Sequence, residues 1–211
     1  MYYGIILYVE KIKKQAKGYI EIVNYADDNV MCFQYKNEAE QTYKILQARL
    51  KQIGLEFAEE KTRLIEFGKF AEENSKKKGN GKPETFDFFG FTHYCSKSRK
   101  TGNFRVKRKT SKKKYKQKVK EFKLWIKENR NKPLNEIMET TKKKLIGHFN
   151  YYGITDNSDS ISKYAYEIRK LLMKWLNRRS QKKSYNSEGF NKMLGFYKLP
   201  MPKIRVNIYA I

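Results

Sequence analysis

Hydrophobic and polar positions change period several times along the 211-residue chain, and each change marks an element. Residues 2–14 space Ile5, Tyr8 and Ile12 on one side of a predicted helix, and Gly18 closes the connection that follows. Residues 19–23 and 30–33 alternate with period two, which predicts a strand, a tight turn and a strand. Helical spacing returns with Ala39, Tyr43, Leu46, Leu50 and Ile53; Asn37 and Glu40 have capping-box spacing, and Gly54 stops the helix. Short apolar runs at 55–57 and 64–67 flank the charged segment 59–63 and predict two further strands. The Lys, Gly, Asn and Ser of 74–83 predict a flexible surface loop, and the aromatic alternation of 86–94 another hairpin strand.

Beyond residue 97 the chain turns basic and helical. Tyr115, Val119, Phe122 and Ile126 mark one apolar stripe; Leu134, Ile137, Met138, Leu145 and Phe149 a second; Ile161, Ala165, Ile168, Leu172, Trp175 and Leu176 a third. Breaks at 129–133 and 153–159 separate three amphipathic helices that bury these stripes against one another as a small bundle. A shorter helix near 190–194 and a strand at 204–209 complete the expected α+β architecture of antiparallel hairpins with packed helices followed by a helical bundle.

Charge sharpens this division. The net charge is +25, yet the first 75 residues carry balanced charges, so the whole excess lies in the rest. Lys107, Arg108, Lys109, Lys112, Lys113, Lys114, Lys142, Lys143, Lys144, Arg178, Arg179, Lys182 and Lys183 fall on successive elements of the bundle. A single lysine run is usually a solvated face, but solubilising charge normally mixes both signs, so binding to a phosphate polyanion is the better account. Tyr151, Tyr152 and Tyr185 add aromatic faces for base stacking, with core packing as the alternative for each. Cys32 and Cys95 are too few for a disulfide scaffold, and His93 with Cys95 lacks the partners of a zinc site. The apolar opening lacks a basic leader and is too short to span a bilayer, which predicts a cytoplasmic chain with no membrane partner.

The candidate chemistry is in Tyr25-Ala26-Asp27-Asp28, at the tip of the first hairpin. Two adjacent carboxylates repel, and each shifts toward its neutral form unless a cation compensates them. Oxygen-only ligands suit Mg²⁺ or Mn²⁺ rather than zinc. For an Asp-Asp pair on its own, a mere polar turn is the favoured reading.

The order in which Tyr25-Ala26-Asp27-Asp28 is followed by Lys61-Thr62-Arg63 and by Phe86-Asp87-Phe88-Phe89-Gly90-Phe91-Thr92-His93 resembles the later palm motifs of reverse transcriptases. With Val9-Glu10-Lys11, Gly147-His148-Phe149-Asn150-Tyr151-Tyr152-Gly153 and Arg205-Val206-Asn207-Ile208-Tyr209, the chain resembles a group II intron-encoded reverse transcriptase/maturase over nearly its whole length. The resemblance implies that 1–95 form the C-terminal part of a palm and 96–211 the thumb or maturase-specific region. It implies RNA-directed DNA polymerisation by two-metal nucleotidyl transfer, with Asp27 and Asp28 as catalytic metal ligands, and places Tyr25, Ala26, Lys61, Phe89 and Gly90 near nucleotide or primer. An ordinary solvated charge is the alternative for Lys61. Implied partners are structured intron RNA, an RNA template with a DNA primer, and deoxynucleoside triphosphates. The fingers and the strand bearing a further catalytic aspartate are not found in these 211 residues, so the expectation is an N-terminally truncated chain, inactive alone, with a missing half encoded nearby or a separate chain supplying fingers and upstream palm as the open alternatives. A non-catalytic RNA-binding splicing module and a degraded remnant are the rival readings.

Overall fold

The computed structural model of the chain describes residues 11–25, 28–56, 58, 60, 62–179 and 185–210. Two compact units follow one another, Met1–Glu66 and Phe67–Ile211. Ile5, Tyr8, Ala26, Asp27, Lys61, Lys182 and Lys183 lie outside the described residues.

In the first unit residues 11–15 are helical, and β1 (Ile20–Tyr25) pairs antiparallel with β2 (Asp28–Phe33), Ile20 opposite Phe33 and Tyr25 opposite Asp28. Helix α1 (Lys36–Gln52) packs on β2 and buries Ala39, Thr42, Leu46 and Leu50. Its expected stripe ends one turn early, because Ile53 is the exposed C-cap residue. Gly54 then takes φ 72°, donating its N–H to Lys51 while Leu55 donates to Leu50, a left-handed cap that a Cβ would strain. The capping box expected at Asn37 is not formed. The helix begins after Tyr35 with no side-chain cap, and the Glu38 carboxylate instead accepts the N–H of Lys17 at 2.8 Å. The strands expected at 55–57 and 64–67 are also absent among the described residues. Runs of three or four residues make a strand only with a partner to satisfy their backbone, and among the described residues β1 and β2 pair solely with each other.

The second unit opens with α2 (Ala71–Lys77), where a flexible loop was expected from residue 74. The pairs Glu72 with Lys76 and Glu73 with Lys77, four residues apart, support this turn of helix. Strands β3 (Phe86–Phe88), β4 (Phe91–Lys97) and β5 (Phe104–Thr110) form an antiparallel sheet in that order. Sequence reading misses β5. Only Phe104 and Val106 reveal its alternation, and the intervening cations make the segment resemble the basic helix that follows.

Helices α3 (Lys112–Asn129), α4 (Leu134–Tyr152), α5 (Ser158–Leu176) and α6 (Ser187–Phe196) build the bundle. Phe122, Ile126, Ile137, Met138, Leu145, Phe149, Ile161, Ile168, Leu172 and Leu176 bury the three expected stripes, with Phe91 of the sheet and Phe190 and Leu194 of α6 closing the same core. The expected final strand is reduced to one parallel bridge, Val206 with Ile154. This tail lies against Gly153, whose carbonyl accepts from Arg205 at 2.6 Å, and ends with Tyr209 donating to the carbonyl of Val106 at 2.8 Å and to Asp156. A Cβ on Gly153 would lie 2.3 Å from the Phe149 carbonyl, so only glycine allows the approach.

Polar groups fasten the sheet to the helices. Asn157, fully buried, accepts the N–H of Thr110 at 2.7 Å and donates to Thr110 Oγ1 at 2.9 Å and to the Tyr152 carbonyl at 2.8 Å. His148 stacks on Tyr164 at 3.6 Å, and burial with Lys118 nearby holds its imidazole well below the ordinary histidine range, at about 4. In the unfolded chain His148 takes a proton near its ordinary value, while the folded chain resists it down to about 4. Stability is therefore full above the ordinary value and falls as pH is lowered between the two, by about 2 kcal/mol at about pH 5. Urea denaturation at neutral and mildly acid pH checks this: His148→Phe should flatten that part of the profile, and an unchanged slope would remove His148 as its source.

Candidate nucleic-acid interface and carboxylate hairpin

Tight pairing of β1 with β2 leaves a two-residue link, so Tyr25 and Asp28 face each other across the last rung. Both are exposed. Asp28 forms no ion pair among the described residues and offers hard oxygen donors of the kind Mg²⁺ takes, while Ala26 and Asp27 lie outside the description. Among the described residues no cluster of three or more His, Cys, Asp or Glu gathers to hold a metal.

A second two-residue turn joins β3 to β4, since Phe88 pairs with Phe91. Phe89 has φ 53° and Gly90 φ 74°, the signs of a type I′ turn, whose right-handed twist matches the strands it joins. Glycine suits this geometry, but phenylalanine is strained in it and persists only where the surroundings over-determine it. Tyr151 of α4 does so, donating its hydroxyl to the Phe89 carbonyl at 2.8 Å while its ring stacks on Phe91. Tyr152 packs from below: a Cβ on Gly90 would meet its hydroxyl at 2.9 Å, and the Gly90 carbonyl accepts the N–H of Ser111 at 2.9 Å. Phe89 remains partly exposed at the tip. Of the three tyrosines singled out for stacking, Tyr151 is half-exposed, Tyr152 is buried in the core and Tyr185 is half-buried.

The cations distribute by strand and helix period. Lys107 and Lys109 lie on one face of β5 with Arg105, while Arg108 lies on the other, donating its Nε to His93 Nε2 at 3.2 Å. Lys112, Lys113 and Lys114 occupy the first turn of α3, all exposed, with no acidic residue beside them and Ser111 capping the helix through its hydroxyl. Three cations at the positive end of a helix oppose its dipole, so their placement does not serve the helix itself. On α4 Lys142 pairs with Glu139 at 2.7 Å, Lys144 covers the Trp125 ring at 5.2 Å, and Lys143 is exposed. Arg178 and Arg130 both cover Trp175, and Arg179 donates to the carbonyls of Arg130 and Lys132, locking the α3 to α4 connection. Arg178 and Arg179 are thus engaged with the fold as well as basic. No helix among the described residues is long and apolar enough to cross a membrane.

Several residues that shape this surface escape sequence reasoning. Asn157 sits in the polar stretch Thr155-Asp156-Asn157-Ser158-Asp159, which reads as a solvated turn and carries no sign that its third member is buried. Lys163 stands outside every lysine run, and only its helical position relative to Ser160 would have paired it with β5.

The hairpin at the head of the chain, the mixed α+β fold and the match of residues 5–93 to the reverse transcriptase (RNA-dependent DNA polymerase) family define a chain of the reverse transcriptase class. Residues 112–193 match the group II intron maturase-specific domain, so that with both matches covering most of its length the chain belongs to the group II intron reverse transcriptase/maturase family. Comparison with curated proteins finds no match.

Proposed function

We propose that this chain serves template-directed addition of deoxynucleotides on RNA, joined to the holding of structured intron RNA by its basic second part. The observation that carries the reading is the pairing of the two family matches, a polymerase segment carrying the hairpin of Asp27 and Asp28 and a maturase segment carrying much of the excess positive charge. In this reading residues 1–95 are palm and 96–211 thumb and maturase region. Asp27 and Asp28 hold Mg²⁺, or Mn²⁺ in its place; the exposure of Asp28 at a hairpin tip and its all-oxygen donor set support the fit. When bound, the metal stabilises charge on the attacking and leaving oxygens of the transfer. Small Ala26 leaves room for a strand beside the carboxylates, Tyr25 supports the primer, and Lys61 approaches the nucleotide. Phe89 and Gly90, held by Tyr151, brace the primer end.

In-line transfer requires carboxylates on both sides of the metal pair, and family resemblance assigns one to an upstream strand. The 211 residues assayed alone are therefore expected not to extend a primer on an RNA template. Extension should appear when a fragment carrying fingers and upstream palm is added, and Asp27→Asn or Asp28→Asn should abolish it while leaving RNA affinity unchanged. Extension that survives both substitutions would reject the assignment. RNA affinity that collapses with them would make the pair structural.

A further inference from the structure

Between the sheet and the start of α5 lies a cleft of about 350 Å³ lined by Thr92, Lys109, Lys112, Tyr115, Ser160 and Lys163. Its charge is one-sided. Three lysines line it from β5, α3 and α5, none in an ion pair among the described residues, with the Lys109 ammonium over the Tyr94 ring at 5.3 Å. The carboxylates on those elements are Glu121 and Glu128 of α3 and Asp159 and Glu167 of α5. Glu121 pairs with Lys118, and Glu167, near enough to add to burial in raising the Tyr115 hydroxyl, pairs with Lys170, while Asp87 of the neighbouring β3 accepts from Thr92 Oγ1 at 2.5 Å. The walls are mostly carbon, from lysine stems, threonine methyls and the Tyr115 ring. A second feature points the same way. Asn157, the N-cap residue of α5, does not cap its own helix because its amide is turned to Thr110, and the Ser158 and Asp159 N–H groups have no partner among the described residues. An uncapped helix start thus borders the cleft, its positive potential offset in part by the Asp159 carboxylate of the same turn.

A lone phosphate would use the lysines and leave the carbon walls wet. An apolar ligand would strand three desolvated ammonium groups. We propose that the cleft takes one unpaired nucleotide of a bound RNA strand, its phosphate against Lys109, Lys112 and Lys163 and its sugar and base against Tyr115 and the lysine stems. Cavities of this size suit a ligand of nucleotide dimensions, and RNA is read chiefly through splayed, unstacked nucleotides. The inference rests on the RNA-binding reading above and adds to it a discrete site that prefers unpaired strands.

The test uses the full chain with a short unstructured oligoribonucleotide and a blunt RNA duplex of equal length. Ser160→Tyr fills the cleft without changing charge, and should weaken single-strand binding by about tenfold while leaving duplex affinity within about twofold. Lys163→Gln should weaken single-strand binding by about tenfold, and Lys143→Gln, an equal charge loss on α4, by about twofold. Unchanged single-strand affinity of Ser160→Tyr, with its melting temperature preserved, would overturn the proposal. If that variant melts early, equal effects of the two lysine substitutions would overturn it in its place. Uridine monophosphate should displace the oligomer more effectively than inorganic phosphate; equal displacement would reduce the cleft to a phosphate site and refute the nucleotide. Absence of any RNA binding by the unaltered chain would instead reject the underlying function.

Discussion

Asn157→Ala is expected to destabilise the second unit by about 3 kcal/mol, lowering its melting temperature by about 10 °C. The side chain is fully buried and joins the end of β5 to the junction of α4 and α5. Alanine leaves the Thr110 N–H buried without an acceptor and Thr110 Oγ1 without either of its amide contacts, whereas the Tyr152 carbonyl keeps the N–H of Ile154. Orphaning a buried donor carries its full desolvation penalty, about 1–3 kcal/mol, with the lost bonds and the small void adding to it. Asn186→Ala, which removes the exposed cap of α6 and its 2.8 Å bond to Gly189, is the control and should cost about 1 kcal/mol. Thermal and urea denaturation of both variants measure the difference. Equal losses would show that burial gives the Asn157 amide no special weight.

The second large effect concerns salt. Affinity of the chain for structured RNA should fall by about a thousandfold or more between about 50 and 200 mM monovalent salt, as expected for six or more phosphate contacts whose counterions are released. Replacing Lys112, Lys113 and Lys114 together by alanine should reduce the slope of log affinity against log salt by about 2. The same replacement should hold or slightly raise the melting temperature, because the three ammonium groups oppose the dipole of α3 and lie off its apolar stripe. A flat salt response would reject the electrostatic footprint. A large loss of stability in the triple variant would mean that these lysines serve the helix.

What the sequence disclosed followed from how many residues repeat a signal. The helices of the bundle were legible because each repeats its apolar spacing over four or five turns, and Leu145, Phe149, Ile168 and Leu172 fall where the period puts them. The strand pair around Asp28 was legible from alternation on both sides of one turn. Strand β5 was not, since cations occupy most of its seven positions and local composition cannot distinguish a basic strand from a basic helix. The runs at 55–57 and 64–67 failed for the opposite reason: the alternation is present, but strands exist by pairing, and pairing is not a local property. The candidate site divides in the same way. The carboxylates of the hairpin stand out as a motif, whereas Tyr151 bonding to Phe89 and Asn157 bonding to Thr110 join residues 47 or more positions apart, and Lys109 and Lys163 line one cleft from separate elements.

The tail that runs past Gly153 also sets an order of events during synthesis. Tyr209 bonds to the carbonyl of Val106, 103 positions earlier, and its ring receives the Arg105 guanidinium at 3.9 Å. While the ribosome is still translating the residues after α6, the sheet and the first bundle helices have already emerged, but the groove along β5 and the Gly153 turn stand uncovered. Final closure therefore waits for residue 209 to clear the exit tunnel, so the second unit matures after its helices are made rather than alongside them. During that interval the nascent chain exposes the cations of β5 without the aromatic ring that later covers Arg105.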